Sequence, residues 1–177
     1  YKIEIDKMNN YKKIETCEKT KPFSYDQEAW ISGFIAGMKQ SASLCNNSLI
    51  QEHKKNLTNL DILFGTQTGN SEAIAEDMSK IANEAGFRAK VNSLDNITMD
   101  ILGNMENVAI ITSTYGEGEM PDNAQLFWDA LSANTAPNLS NIKYSVLALG
   151  DTGYEEFCHA GKLIDTRFEQ LGATRIQ

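Results

Sequence analysis

From residue 60 onward, short apolar runs alternate with longer stretches of helical periodicity, and this alternation limits the possible folds more than any other feature of the sequence. The apolar runs are too short for helices and are typical of buried strands. Strands that alternate with helices indicate a parallel sheet with helices on both faces, which is a doubly wound α/β fold. The predicted strands lie at 60–65, 87–91, 108–114 and 144–150, with a fifth starting at 174, and the predicted helices at 71–85, 124–131 and 157–171.

The first 59 residues follow a different pattern. Residues 25–42 are predicted to form one helix, because Trp30, Phe34 and Met38 recur at steps of four. The stretches on either side of this helix are polar and show little periodicity. We therefore predict two regions, an N-terminal arm, helix and linker in 1–59 and an α/β domain in 60–177.

The charge distribution excludes several kinds of partner. The chain carries 16 basic and 24 acidic residues, and residues 60–177 alone hold 7 of the basic and 17 of the acidic ones. Nucleic acids and anionic membranes are recognised by clustered Lys and Arg, so neither is expected as a partner. No apolar run approaches the roughly 20 residues that span a bilayer.

The cysteines and histidines do not form a recognisable metal site or disulfide framework. Cys17, Cys45 and Cys158 are widely spaced, and neither His53 nor His159 has a Cys or His neighbour at ligand spacing. We therefore predict no metal site. An odd number of isolated cysteines fits a reducing compartment, so a cytoplasmic location is expected.

The loop after the first predicted strand, Thr66 to Ser71, has the composition of a phosphate-binding turn. It contains three hydroxyl side chains, two amides and one glycine, and it leads directly into a helix. The N–H groups and the dipole at a helix N-terminus can hold a phosphate there. The loop lacks the Gly-Lys ending of a P-loop and the GxGxxG of a dinucleotide-binding turn. A capping turn rich in Thr and Asn, with no ligand, is the alternative interpretation.

Two further loops follow predicted strands and combine glycines with a tyrosine. Tyr115 lies in the loop 113–121, and Tyr154 lies in the loop 150–158. Glycine permits backbone conformations that allow a loop to approach a flat ligand closely. Doubly wound folds bind ligands outside the carboxyl ends of their strands. The three loops together therefore predict a site for a planar ring that bears a single phosphate.

The segments TQTGNSE, STYGEGEMPDNA and LALGDTGYEEFC resemble the three flavin loops of the flavodoxin-like FMN domain of diflavin reductases. This family includes the sulfite reductase (NADPH) flavoprotein subunit and cytochrome P-450 reductase. The third segment and the upstream PFSYDQEAWISGFIAGM are most similar to the sulfite reductase flavoprotein, whereas Tyr115 and the PDNA ending are similar to P-450 reductase. The resemblance implies a five-stranded parallel sheet of order 2-1-3-4-5 with an N-terminal helical extension.

The resemblance also implies which residues would bind FMN, and it assigns no catalytic side chain. The first loop would surround the phosphate, and the second and third would line opposite sides of the isoalloxazine, with Tyr154 stacked on the ring. The implied residues are Thr66, Gln67, Thr68, Gly69, Asn70 and Ser71 for the phosphate, Ser113, Thr114, Tyr115 and Gly116 for one side of the ring, and Leu149, Gly150, Asp151, Tyr154, Phe157 and Cys158 for the other.

By the same resemblance, the chain is expected to transfer electrons as part of an NADPH-dependent oxidoreductase. Electrons would pass from a FAD module that binds NADPH, through FMN, to a haem-protein acceptor, with the sulfite reductase haemoprotein as the first expectation. Because the chain stops inside its predicted fifth strand, the FAD module is expected beyond Gln177. A P-450-reductase-type FMN domain and a stand-alone flavodoxin-like carrier stay open as alternatives. A phospho-acceptor receiver domain is disfavoured, because Asp61 begins its strand and no acid follows that strand.

Overall fold

A computed structural model describes residues 25–43 and 57–176, and these form one parallel sheet with helices on both faces. The strand order is β2-β1-β3-β4-β5, and every neighbouring pair is parallel. The predicted doubly wound fold and its strand order are therefore confirmed. The strands are β1 (Thr58–Gly65), β2 (Phe87–Ser93), β3 (Asn107–Ser113), β4 (Lys143–Leu149) and β5 (Thr174–Arg175).

Five α-helices cover the two faces of the described sheet. Neighbouring residues of a strand point to opposite faces of the sheet, so both faces present side chains for helices to cover. The helices are α1 (Tyr25–Ser43), α2 (Asn70–Glu84), α3 (Met99–Gly103), α4 (Asp122–Ser132) and α5 (His159–Gln170), with a short 3₁₀ turn at Leu94–Asn96.

Two apolar clusters, one on each face, hold the helices to the sheet. On one face, α3, α4 and α5 pack on the side chains of β3 and β4, among them Ile110 and Tyr144. On the other face, α1 and α2 pack on β1 and β3, among them Ile62 and Ile111. Strands that are buried on both faces explain why β1 and β3 appear in the sequence as continuous apolar runs.

Helix α1 packs on the sheet through the apolar stripe that its sequence predicts. Phe34 and Met38 are buried together with Ile31 and Ile35, and Trp30 stacks on Phe34 with ring centroids 5.6 Å apart. The predicted arm and linker on either side of α1 lie outside the described residues. Whether residues 1–59 form a separate unit therefore stays a prediction.

Several boundaries and exposures differ from the sequence prediction. Helix α5 begins at His159 rather than at residue 157, because Cys158 adopts a left-handed conformation with φ 58° that interrupts the helix. On α2, Ile81 is 38% exposed although it recurs at helical spacing with Ile74 and Met78, and the neighbouring Ala82 is buried. Gly86, with φ 92°, follows the C-cap of α2, the position where a left-handed glycine commonly ends a helix. In the described parts of the chain, no helix is long and apolar enough to cross a membrane.

Candidate functional site

A cleft of about 910 Å³ opens at the carboxyl ends of β1, β3 and β4. A smaller cleft of about 360 Å³ adjoins it, and the two share Thr114, Tyr115, Gly150 and Phe157. Together they bring the three glycine-containing loops to one edge of the sheet, where parallel strands of a doubly wound fold place their ligands.

The loop after β1 forms a tight turn that leads into the N-terminus of α2. The Thr66 hydroxyl accepts a hydrogen bond from the Gly69 N–H at 2.9 Å, and Gly69 has φ 89°, which favours glycine. The first N–H groups of a helix have no partner within that helix. The Ser71 hydroxyl, in the first turn of α2, is fully buried and has no hydrogen-bond partner. This end of α2 can therefore donate several hydrogen bonds to an anion.

The loop after β3 is held closed by its own backbone. Tyr115 and Glu119 exchange two backbone hydrogen bonds, of 3.0 and 2.8 Å. Gly116 and Gly118 between them have φ 53° and 134°, so glycine is required where the loop reverses. The Tyr115 ring is left 52% exposed at the mouth of the cleft, where it can contact a flat ligand.

The loop after β4 places a second tyrosine and a phenylalanine on the opposite side. The Asp151 carboxylate accepts from the Gly153 N–H at 2.7 Å and shapes the turn that leads to Tyr154, which is 53% exposed. Cys158 points back into the protein, where its Sγ donates to the Ala148 carbonyl at 3.4 Å. Burial raises the pKa of the Cys158 thiol, with Lys162 partly opposing the shift, so this side chain packs rather than acting as a nucleophile.

The site is acidic at its rim, whereas the lining of its larger cleft is uncharged. None of the described residues that line the larger cleft is charged. Carboxylates lie at the rim, including Glu117, Glu119, Asp151 and Glu155, which are all exposed. Glu156 pairs with His159 at 2.7 Å. A phosphate in this site would be held by N–H groups and hydroxyls rather than by a cation.

The structure brings the residues that the sequence assigns to FMN together at this edge of the sheet, although not all of them line a cleft. Three of these residues line neither cleft and belong to the turn and helix start behind the larger one: Thr66, Gly69 and Ser71. The other predicted residues line the clefts directly: Gln67, Thr68, Asn70, Ser113, Thr114, Tyr115, Gly116, Leu149, Gly150, Asp151, Tyr154, Phe157 and Cys158.

Sequence reasoning missed several lining residues. Ala73 and Ile74 follow the phosphate-type turn, and Leu147 and Ala148 precede the end of β4, so proximity to the motifs could have found them. Trp30 of α1 also lines the larger cleft, and no local signal marks it because its contact arises from the packing of α1. Within the described segments, no group of three His, Cys, Asp or Glu side chains could hold a metal ion.

Comparisons with known proteins give a consistent result. The family model described as Flavodoxin matches residues 62–177. Among curated proteins, the sulfite reductase (NADPH) flavoprotein alpha-component of Bacillus subtilis is 35% identical over 98% of this chain and 30% of that protein. The protein of the same name from Vibrio cholerae is 39% identical over 85% of this chain and 25% of its own length. The chain therefore spans less than a third of the curated relatives it matches.

Solved structures include a mutant of flavodoxin from Pseudomonas aeruginosa with a TM-score of 0.61 and 28% identity. That match covers 68% of this chain and 80% of the flavodoxin.

Proposed function

The chain belongs to the flavodoxin family, and from this premise we propose that the paired clefts bind one FMN. The phosphate would lie at the N-terminus of α2, against the turn of Thr66 to Ser71. The isoalloxazine would lie between the loop that carries Tyr115 and the loop that carries Tyr154. All the residues that the sequence motifs assign to FMN keep those roles in this proposal.

The observation that carries the proposal is a pair of unpartnered hydroxyls beside the cleft. The Oγ atoms of Ser71 and Ser113 are buried, and neither has a hydrogen-bond partner. Most buried polar groups in proteins have a hydrogen-bond partner, so two unpartnered hydroxyls at this edge of the sheet fit a site where a bound ligand supplies the partner. Ser71 stands at the start of α2 and Ser113 at the end of β3, the two positions where the phosphate and the ring system are expected.

Bound FMN would supply the electron-carrying chemistry, and the protein would tune it. The exposed tyrosines can cover both faces of a planar ring and exclude water from it. The carboxylates at the rim disfavour additional negative charge on the bound group. Leu149 and Phe157 add apolar surface, which strengthens this electrostatic effect because it lowers the local dielectric.

We further propose that the chain is the FMN domain of an NADPH-dependent diflavin reductase of the sulfite reductase type, and therefore part of a cytoplasmic oxidoreductase. The support is the extent of the match with the Bacillus subtilis flavoprotein, which covers 98% of the chain and so includes the residues before the flavodoxin region. In this proposal a FAD module passes electrons from NADPH to FMN, and a haem protein, the sulfite reductase haemoprotein, receives them.

A stand-alone flavodoxin-like carrier is the second candidate. The similarity to a solved flavodoxin, which reaches 80% of that protein, favours it. The two candidates differ in their source of electrons. Reduction of the native protein by NADPH alone supports the diflavin reductase, whereas a need for a separate reductase supports the carrier.

Flavin binding is tested by titrating the apoprotein with FMN and following the quenching of flavin fluorescence. We expect one FMN per chain, with a dissociation constant below about 1 µM, the range of a specific cofactor site. Replacing Ser71 with Ala removes one of the unpartnered hydroxyls, and we expect it to weaken FMN binding several-fold. Gln125→Ala, on the exposed side of α4, is the matched control and should bind as the wild type does. An apoprotein that binds no FMN at micromolar concentrations would contradict the proposal.

A further inference from the structure

Asp122 and Asn123, the first two residues of α4, are hydrogen-bonded to the loop after β1. Asp122 bonds to Gln67, 55 positions earlier in the chain, and Asn123 bonds to Thr66, 57 positions earlier. The Thr66 N–H donates to the Asn123 Oδ1 at 2.7 Å. The Asn123 Nδ2 in turn donates to the Ser93 Oγ at 2.9 Å. One asparagine thus connects the ends of β1 and β2 to the start of α4.

A second contact joins the same two segments. The Asp122 N–H donates to the Gln67 Oε1 at 3.1 Å, and the Gln67 Nε2 donates to the Asp122 Oδ2 at 3.0 Å. The N-cap of α4 is Pro121, which offers no side-chain acceptor to the first N–H groups of the helix. Gln67 therefore supplies the cap from another segment, and α4 and the loop hold each other in place.

The two contacts differ in strength because they differ in exposure. The bonds between Gln67 and Asp122 are exposed, so water competes with them. The Thr66–Asn123 bond is partly buried, and Asn123 is fixed at its other end by Ser93, so its Oδ1 has a defined position. Thr66 also accepts from the Gly69 N–H, which links the position of Thr66 to the shape of the whole turn.

We propose that Asn123 is a positioning residue for the phosphate-binding turn: by holding the Thr66 N–H, it orients the remaining N–H groups of the turn and of the start of α2 towards the phosphate. It touches neither the phosphate nor the flavin ring in this assignment. The inference rests on the proposed FMN function and adds to it a residue of the second flavin segment that the resemblance does not assign to FMN. It also predicts that the effect of Asn123 is specific to the phosphate.

Comparison of FMN with riboflavin tests this specificity, because riboflavin has the same ring and lacks the phosphate. The dissociation constants of both flavins are measured on the full chain, in the wild type and in Asn123→Ala. We expect the constant for FMN to rise about tenfold, the equivalent of one lost hydrogen bond. The constant for riboflavin should change less than about twofold. A merely structural loss would weaken both flavins alike.

Two further variants complete the test. Gln125→Ala, two residues along α4, removes an exposed bond to Asp129 and should leave both constants unchanged. Ser93→Ala keeps the Thr66–Asn123 bond but frees the Asn123 amide, so the preference for FMN over riboflavin should fall about threefold. If Asn123→Ala does not fold, Ser93→Ala decides alone.

The outcomes separate the inference from the proposed function. A wild type that does not bind FMN contradicts the proposed function. A wild type that prefers FMN, with the same preference in Asn123→Ala or, if that variant is unfolded, in Ser93→Ala, overturns the inference and leaves the proposed function standing.

Discussion

At the scale of single residues, Tyr144 shows how a polar atom is accommodated in the core. The ring is fully buried, and its hydroxyl donates to the Asp165 carbonyl at 2.9 Å. The Arg175 guanidinium lies 5.9 Å from the ring centroid and binds the Asp165 carboxylate. Burial, followed by the nearby charge of Asp165, raises the pKa of Tyr144 to about 12.

Replacing Tyr144 with Phe should lower the free energy of unfolding at pH 7 by about 1 kcal/mol, the value of one hydrogen bond. The pKa of Tyr144 is raised in the folded protein from 10.0 to about 12. The contribution of the Tyr144 hydroxyl to the stability of the folded protein is therefore complete below pH 10 and is lost as the pH rises through 12. The penalty of the substitution should thus shrink between these pH values, measured by urea unfolding. Tyr154→Phe, at an exposed ring, is the control, and a penalty that does not vary with pH contradicts the assignment.

The residues that the sequence could predict are those whose role depends on local spacing. The turn of Thr66 to Gly69 and the glycines of the 113–121 loop are recognised because their residue types and their backbone conformation occur in one short segment. The roles of Asn123 and Trp30 could not be found in this way, although both residues lie in segments that carry the family resemblance. Their contacts depend on how α4 and α1 pack against the rest of the protein, which periodicity does not specify.

At the scale of elements, α1 packs on the sheet although the sequence places it before the predicted boundary at residue 59. Its apolar side chains belong to the same cluster as those of β1, β3 and α2. A helix buried in this way contributes to the stability of the sheet, whereas a helix joined only by a linker does not. The predicted boundary at residue 59 would then separate two segments of the sequence that fold together.

Replacing Phe34 with Ala should lower the free energy of unfolding by about 3 kcal/mol, because the ring is 2% exposed and its removal leaves a cavity against the sheet. Gly33→Ala, at the neighbouring position, is the matched control. A Cβ at Gly33 meets no atom within 4 Å, so the variant should be unchanged or up to about 1 kcal/mol more stable. Both values come from chemical unfolding monitored by circular dichroism. An unchanged stability of Phe34→Ala would show that α1 does not stabilise the sheet.

At the scale of the whole molecule, the fold was more predictable than the arrangement of its surface. Alternating apolar strands and amphipathic helices fix a parallel sheet, because such strands can be buried only between two layers of helices. The confirmed strand order came from motif resemblance and not from periodicity, which specifies elements without their neighbours. The asymmetry of charge was visible in the sequence, and the fold places Glu117, Glu119, Asp151 and Glu155 together at the rim of the clefts.

This acidic rim predicts how the proposed FMN domain would meet an electron acceptor. Glu117 and Glu155 are exposed on the loops that flank the proposed flavin, so a partner with a basic docking face would be steered towards the exposed tyrosines. Replacing either glutamate with Lys should slow electron transfer to such a haem protein several-fold at low ionic strength, measured by stopped-flow absorbance.

The ionic strength and a distant control distinguish steering from local damage. The difference from the wild type should disappear near 0.5 M salt, where the Debye length is only about 4 Å. Glu84 is exposed at the other end of α2, away from the clefts, so Glu84→Lys makes the same change in net charge without facing the partner. Equal slowing by Glu84→Lys would show that net charge alone matters. A wild-type rate that does not depend on salt would show that the acidic rim does not steer the acceptor.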